Sequence, residues 1–355
     1  MFTPQRIHDI QWAFSTKRQA NYATPVATLE KFIQVIGVPS IGEFDKTVLS
    51  DAQRYGRGFP YATSKRDLFY DTKMSRTMDL TSLMAGWAAA FGLGSISSTQ
   101  PNVASNPTAY RHVITLLNTV AAGSKQLPIT TIGEQISEAD NLERTFEVMA
   151  VSDFTITGKN RELLQLQINL VGSGKITVGE VTIPALTPVS PLDMGGMIFK
   201  VGTMGAPTDI SARLEDFSFK FNAGIDLNNR WSPGSGKYAS RHWVTVPRPT
   251  FDATVTMDQA SSDMFDHMVA NDILEVSFKA VGDVITVAQP ETHDCEIKFP
   301  SVTLTTVKME ASGNWVAYKI SVADDDIYQV AGSTPANTPI QITVTNTEAA
   351  YLETT

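Results

Sequence analysis

Two Gly-Ser-Gly-Lys segments, at 172–175 and 234–237, are the nearest this sequence comes to phosphate chemistry. A P-loop needs Ser or Thr directly after its Lys and a helix opening behind it, so that backbone amides cradle the phosphates. Here Ile176 and Tyr238 follow, and both segments sit after or between strand-like runs, so they read as turns. The five histidines, His8, His112, His242, His267 and His293, are scattered. No two share the i, i+4 helical face that presents paired imidazoles to a metal. His293-Asp-Cys295 offers ligand types only if the fold adds others, and Asp324-Asp-Asp326 lacks the spaced ligands and central Gly of a calcium loop. There is no Gly-x-Ser-x-Gly elbow and no Cys–His pair in a credible setting. We therefore expect no catalytic residue, no cofactor and no metal. Trp231, Trp243, Phe251 and Trp315 lie in or beside strands, where core or subunit contact is favoured over a base-stacking platform.

Composition points the same way. Of 355 residues, 42% are hydrophobic and only 18% charged, which supplies material for one or two cores and argues against disorder. The formal charge is −9. Affinity for nucleic acid comes mainly from Lys and Arg displacing counterions, so this chain is a poor gripper of phosphates, although an acidic or neutral wall would let DNA slide past. One cysteine, Cys295, excludes an intrachain disulfide framework and fits a reducing compartment. No N-terminal run resembles a signal peptide, and no stretch nears the ~18 apolar residues of a membrane span. The most apolar segment, Leu83 to Leu93, is expected to pack a core.

The elements that must position these residues are mostly strands. Apolar and polar positions alternate in 164–171, 214–221, 250–257 and 314–322, the pattern of sheets with one buried face. Gly158-Lys-Asn160 and Ser312-Gly-Asn314 read as hairpin turns. Helices are expected from Thr81 or Ser82 through Phe91, and from Ser261 or Ser262 through Ala270, each with a hydroxyl cap. Matching pieces then expose a repeat. Thr77-Met-Asp79 before the first helix resembles Thr256-Met-Asp258 before the second; Arg54-Tyr55 resembles Arg230-Trp231; and the hairpin 146–171 resembles 297–322. The predicted organisation is an N-terminal arm (1–31), one domain (32–183), a Pro/Gly-rich linker (184–208), a second domain (209–326) and a C-terminal arm (327–355), all mainly β with one helix per domain.

Several short segments resemble bacteriophage tail tube proteins. They are the opening Phe14-Ser-Thr-Lys-Arg-Gln-Ala-Asn-Tyr-Ala-Thr-Pro-Val26, then Tyr110-Arg-His112, Leu127-Pro-Ile-Thr-Thr131, Asp153-Phe-Thr-Ile-Thr-Gly158 ahead of 164–174, and Lys298-Phe-Pro-Ser-Val-Thr-Leu304. The likeness spans most of residues 10–330, with short, degenerate motifs. It implies β-sandwich or barrel domains, each with one helix, six of which join their sheets into a ring-shaped β-barrel. With four strands per domain the ring has about 24 strands, and ~4.8 Å spacing with ~40° tilt gives roughly 48 Å across the backbone. A duplicated chain would make the ring a trimer, the favoured reading; an unduplicated one, a hexamer.

The resemblance also implies roles and partners. Lumen-facing candidates are Asp153, Lys159, Gln165, Gln167, Lys308 and Lys319, on the two long hairpins. Contacts between rings are expected from Tyr55, Arg57, Trp231 and Lys237 in the Gly-rich loops, with both arms ordering only against a neighbouring ring. Truncating Tyr55 or Trp231 should weaken polymerisation and leave the subunit folded. Implied partners are further copies of the chain, tail-tip and terminator proteins, and a tape measure protein. Double-stranded DNA would pass without sequence-specific binding, and no membrane is implied. The expected setting is a virion tail assembled in the host cytoplasm. Rival readings are a carbohydrate-binding or adhesin-like β module, a secreted hydrolase, and another tail component such as a distal tail protein.

Overall fold

A computed structural model describes residues 10–32, 34–36, 41–50, 55–56, 59–60, 65–104, 106–117, 126–136, 143–258, 263–286, 290–329 and 338–354. The first half holds β1 (Gln11–Phe14), β2 (Lys31–Phe32), β3 (Glu43–Ser50), β4 (Tyr55–Gly56), β5 (Phe59–Pro60), β6 (Lys65–Asp79), α1 (Ser82–Leu93), β7 (Gly94–Thr99), β8 (Tyr110–Leu116), β9 (Thr130–Gln135), β10 (Glu143–Lys159), β11 (Gln165–Gly172) and β12 (Ile176–Val178). The second holds β13 (Met197–Thr203), β14 (Thr208–Asp209), β15 (Leu214–Asn222), β16 (Arg248–Thr256), α2 (Asp263–Ala270), β17 (Leu274–Val284), β18 (Thr292–Val302), β19 (Thr306–Ser312), β20 (Trp315–Val322) and β21 (Gln341–Asn346).

The strands form antiparallel sheets. The larger one follows the path β19-β20-β16-β15-β10-β11-β6-β3, with β1, β2, β9 and β12 branching from it, and the second runs β14-β13-β17-β18-β21-β8-β7. Alternation decides which face goes inward. In β15 and β16, Phe217, Phe219, Phe221 and Phe251 are buried, while Lys220, Asn222 and Asp252 are exposed. The inward aromatics meet the second sheet directly: Phe217 stacks on Phe278 at 5.1 Å, Phe278 on Phe199 at 4.6 Å, and Phe251 meets Phe299 at 5.0 Å. Such pairs contribute about 0.5–1.5 kcal/mol each beyond burial.

Helix α1 lies between the sheets, and all of its residues are buried. An all-round apolar helix of this kind belongs in a core. Thr81 caps it by accepting from the Met84 amide, and Gly94, at φ 88°, ends it. Small residues bring its neighbours close: the Tyr351 ring lies against Gly86, and its hydroxyl donates to the Leu83 carbonyl at 3.0 Å. Helix α2 buries only Met264.

Among the described residues the path is not a closed barrel; it ends at two edges, β19 and β3. Within it each half contributes four strands in the same sense. Pairs β3–β6 and β15–β16 precede a helix, and hairpins β10–β11 and β19–β20 follow two strands of the second sheet. The halves meet where β10 pairs with β15, from Asp153↔Asn222 to Lys159↔Asp216.

Several sequence expectations change. The second hairpin runs 306–322, because Ile297 belongs to β18 in the other sheet, between β17 and β21. Both strands alternate, and alternation carries no information about sheet membership. The expected linker 184–208 contains β13, which pairs with β17 from Met197↔Ala280 to Thr203↔Leu274. The described parts of the arms are ordered within the chain itself. Strand β1 pairs with β9, with Trp12 and Phe14 buried, and β21 lies between β18 and β8. Burying those apolar residues supplies the driving force that an exposed arm would lack.

Gly158 is not a turn residue. It lies within β10 opposite Phe217, and the positive φ of this turn falls on Arg161, at 68°. A Cβ at Gly158 would sit 2.5 Å from Leu164 Cδ2 and 2.6 Å from both Met194 Sδ and Phe217 Cε1. Gly158→Ala should therefore lower stability by about 1–3 kcal/mol through overpacking. Urea unfolding checks this, and an unchanged midpoint would count against so tight a contact. The Ser312-Gly-Asn314 turn does form as expected, with Gly313 at φ 58° between Ser312 and its partner Trp315.

Candidate functional site

The eight-strand path turns one face to the core and a polar face outward. All six residues expected on a lumenal sheet stand on that polar face. Asp153, Lys159, Gln165 and Gln167 come from β10 and β11, and Lys308 and Lys319 from β19 and β20. Their neighbours across the strands complete it. Thr155 stands between Gln167 and Lys220, Lys159 opposite Asp216, and Asp252 between Ser218 and Ser321. Asp153 accepts from Asn169 Nδ2 at 2.6 Å and Asp252 from Ser321 Oγ at 2.5 Å. Lys319 stands directly opposite Lys308, a like-charge pair on the outermost hairpin. Carboxylates, ammonium groups, amides and hydroxyls thus interleave, without the continuous Lys/Arg stripe that holds phosphates. Lys220, Asp216 and Asp252 escaped the sequence reading. Alternation placed them outward, but only the register of two hairpins brings them beside the candidates.

At one end of this sheet the loop 223–247, joining β15 to β16, folds back over the other half of the chain. Arg230 is its anchor. The buried guanidinium donates to Asp71 at 2.9 Å, to the Gly172 carbonyl, and to His242 Nε2 at 3.2 Å. Arginine can only donate, so Nε2 is an acceptor, and Nδ1–H must then donate to the Tyr22 hydroxyl, 2.8 Å away. Burial, followed by the adjacent guanidinium, pushes His242 down to about 3. Trp231 donates to the Lys237 carbonyl at 3.2 Å and meets the Phe69 ring at 4.9 Å. The Lys237 ammonium lies 3.5 Å from Asp67 and over the Tyr70 ring.

The Gly-Ser-Gly-Lys segments behave as turns. Gly174, Gly234 and Gly236 have positive φ, and Lys175 pairs with Glu147. Trp231 and Lys237, expected at contacts between rings, rest on β6 of their own chain and keep part of their surface exposed. Long-range pairs such as Phe69–Trp231 explain this, and no local pattern encodes them. The backbone of Tyr55 pairs with Pro60, while its side chain and Arg57 lie outside the described residues.

The described histidines have structural partners: His112 with Ser98, His267 with Asp272, and His293 with Ser82. Asp324 pairs with Arg248, and Asp326 accepts from Thr305. Among the described residues no group of three or more His, Cys, Asp or Glu could hold a metal, and no helix is long and apolar enough to cross a membrane. Burial pushes the Cys295 thiol far above its ordinary range, so it stays protonated. No protein-family model matches the chain, and comparison with curated proteins returns no match.

Proposed function

We propose that the chain is a tail tube subunit with two tandem tube-type domains, three copies of which close one ring around a lumen for DNA. The observation that supports this most is the seam between β10 and β15. There one four-strand unit already continues into the next, in the same sense, within a single chain. Free edges β19 and β3 are the remaining halves of such a seam. Pairing them between copies removes every open edge of the wall, which isolated sheets otherwise leave prone to aggregation. Both edges carry exposed apolar side chains: Ile41 and Phe44 at β3, and Met309 and Val316 at β19 and β20. Eight strands per chain give 24 in three copies. The interleaved polar face then lines the lumen, close enough to neutral for DNA to pass without being held.

The same seam predicts a register. Aligning Thr77-Met-Asp79 on Thr256-Met-Asp258 through the strand pairings equates Asp153 with Lys308 and Asn222 with Thr47. The internal pair Asp153↔Asn222 therefore corresponds to Lys308 of one copy opposite Thr47 of the next. In one chain these positions lie at opposite edges of the eight strands, roughly 34 Å apart at ~4.8 Å per step. A Lys308→Cys/Thr47→Cys chain should oxidise to a covalently closed trimer on a non-reducing gel. Ladders passing beyond three, or no link between copies, would contradict the closed three-copy ring.

A carbohydrate-binding groove needs its aromatics together. Here Trp231 and Trp243 share one loop, Trp315 lies at the far end of the sheet, and Phe251 is in the core. The rings do not line one surface.

A further inference from the structure

The polar-face side of the sheet carries an open cavity at one end and a highly exposed tryptophan at the other. The cavity, about 560 Å³ and open, lies where loop 223–247 meets β6, and is lined by Phe69, Leu227, Asn228, Trp231, Ser232 and Pro233 among others. Phe69 is 39% exposed and Leu227 50%, so the cavity wall presents adjoining apolar surface to solvent. The tryptophan is Trp315, 70% exposed at the tip of the two-residue β19–β20 turn.

Register places the two at opposite ends of one sheet. Along β16, Arg248 pairs with Asn222 at the loop end, and Thr256 pairs with Ala317 at the other, two residues from Trp315. On β6, Thr72 pairs with Gly172 at the loop end, and Phe69 lies beyond it, while Asp79 at the far end pairs with Gln165. Both side chains also belong to the polar-face series of their strands: Phe69 with Asp71, Lys73 and Ser75, and Trp315 with Lys319 and Ser321. They stand roughly 30 Å apart along the strands, at ~3.3 Å per residue.

We propose that the Phe69–Trp231 cavity is a socket for Trp315 of a second copy in the adjacent ring. This rests on the tube reading above. Head-to-tail stacking lays the turn end of one ring on the loop end of the next, a heterologous contact that cannot close and so extends a filament. Two features on the same face of the same sheet arrive at the same radius, so stacking brings plug and socket together without any change of fold. Indole against Phe69, Trp231 and Pro233 is the tilted aromatic contact such rings favour. The loop thus acts twice. Arg230 fixes it to its own chain, and that fixation holds Trp231 in place for the neighbour.

The test is Asn228→Cys/Asn314→Cys in the full chain, with one thiol in the cavity wall and the other beside Trp315. The native Cys295 is buried and does not compete. Oxidised tubes should give a ladder of linked chains, and dilute unassembled protein none. Trp315→Ala should still close rings, read by the Lys308→Cys/Thr47→Cys link, while the fraction in stacked tubes falls at least ~10-fold. Trp315→Phe should recover part of it. Tubes without the ladder, or Trp315→Ala stacking as the parent does, would overturn the socket and leave the ring intact. Absence of the link in the Lys308→Cys/Thr47→Cys chain with Trp315 intact would remove the tube reading, and the socket with it. A monomer that binds an oligosaccharide at Trp231 would also overturn it.

Discussion

Glu134→Ala is expected to lower stability by about 3–5 kcal/mol, a large fraction of what a domain has. Glu134 is fully buried at the branch point of the larger sheet. It accepts from Arg76 at 2.6 Å, from the Gly42 amide at 3.0 Å, and from Arg144, so one carboxylate ties β9 to β6, β10 and the start of β3. Arg76 is itself buried, on the core side of β6. Removing the carboxylate leaves that cation without its counter-charge, and burial already pulls its pKa down. Glu134→Gln keeps an acceptor and should cost less, while Arg76→Met/Glu134→Leu should recover most of the loss, because well-packed apolar pairs often replace buried ion pairs without penalty. Urea unfolding of the four chains checks the ranking. A loss below 1 kcal/mol for Glu134→Ala would mean that water reaches the cluster.

Acidification should weaken the loop anchor by a comparable amount. His242 is fully buried between Tyr22 and Arg230, with Asp71 beyond the guanidinium. Folding lowers its pKa from 6.5 to about 3, so the unfolded chain binds the extra proton. Stability is therefore complete above pH ~6.5 and declines as pH falls towards 3; the full difference is roughly 4–5 kcal/mol at ~1.36 kcal/mol per unit. Protonation would also turn Nε2 into a donor facing Arg230, which has nothing to accept with. His242→Gln can accept from Arg230 and donate to Tyr22 without titrating. Its unfolding free energy should be flatter between pH 6.5 and 4 than that of the parent. Parallel curves would contradict the burial of a neutral imidazole here.

Much of the fold was legible because alternation is local. Strands β11, β15, β16 and β20 and the capped, apolar α1 emerge at nearly the residues expected. Strands β13 and β21 alternate as clearly, with Met197, Phe199 and Val201 buried, and Ile342 and Val344 likewise. The surrounding Pro, Gly and Thr place them in linker and arm, because turn composition outweighs period there. Sheet membership was not legible, since Ile297–Val302 and Val307–Ala311 show the same kind of pattern and enter different sheets. For the site, the polar series could be read from alternation, and its six candidates do share one face. The anchor could not, because Tyr22, Asp71 and the loop that carries Arg230 and His242 are far apart in sequence and meet only through the fold.

The central claim, that the seam between β10 and β15 is repeated between copies, is tested most directly by weighing and imaging the assembled particle. Light scattering beside electron microscopy should give closed rings of about 116 kDa, three times the 38.7 kDa chain, with a wall of six similar lobes. Rings of six chains would contradict the tandem account while keeping a ring, and a chain that stays monomeric at high concentration, with β19 and β3 both open, would contradict the claim itself.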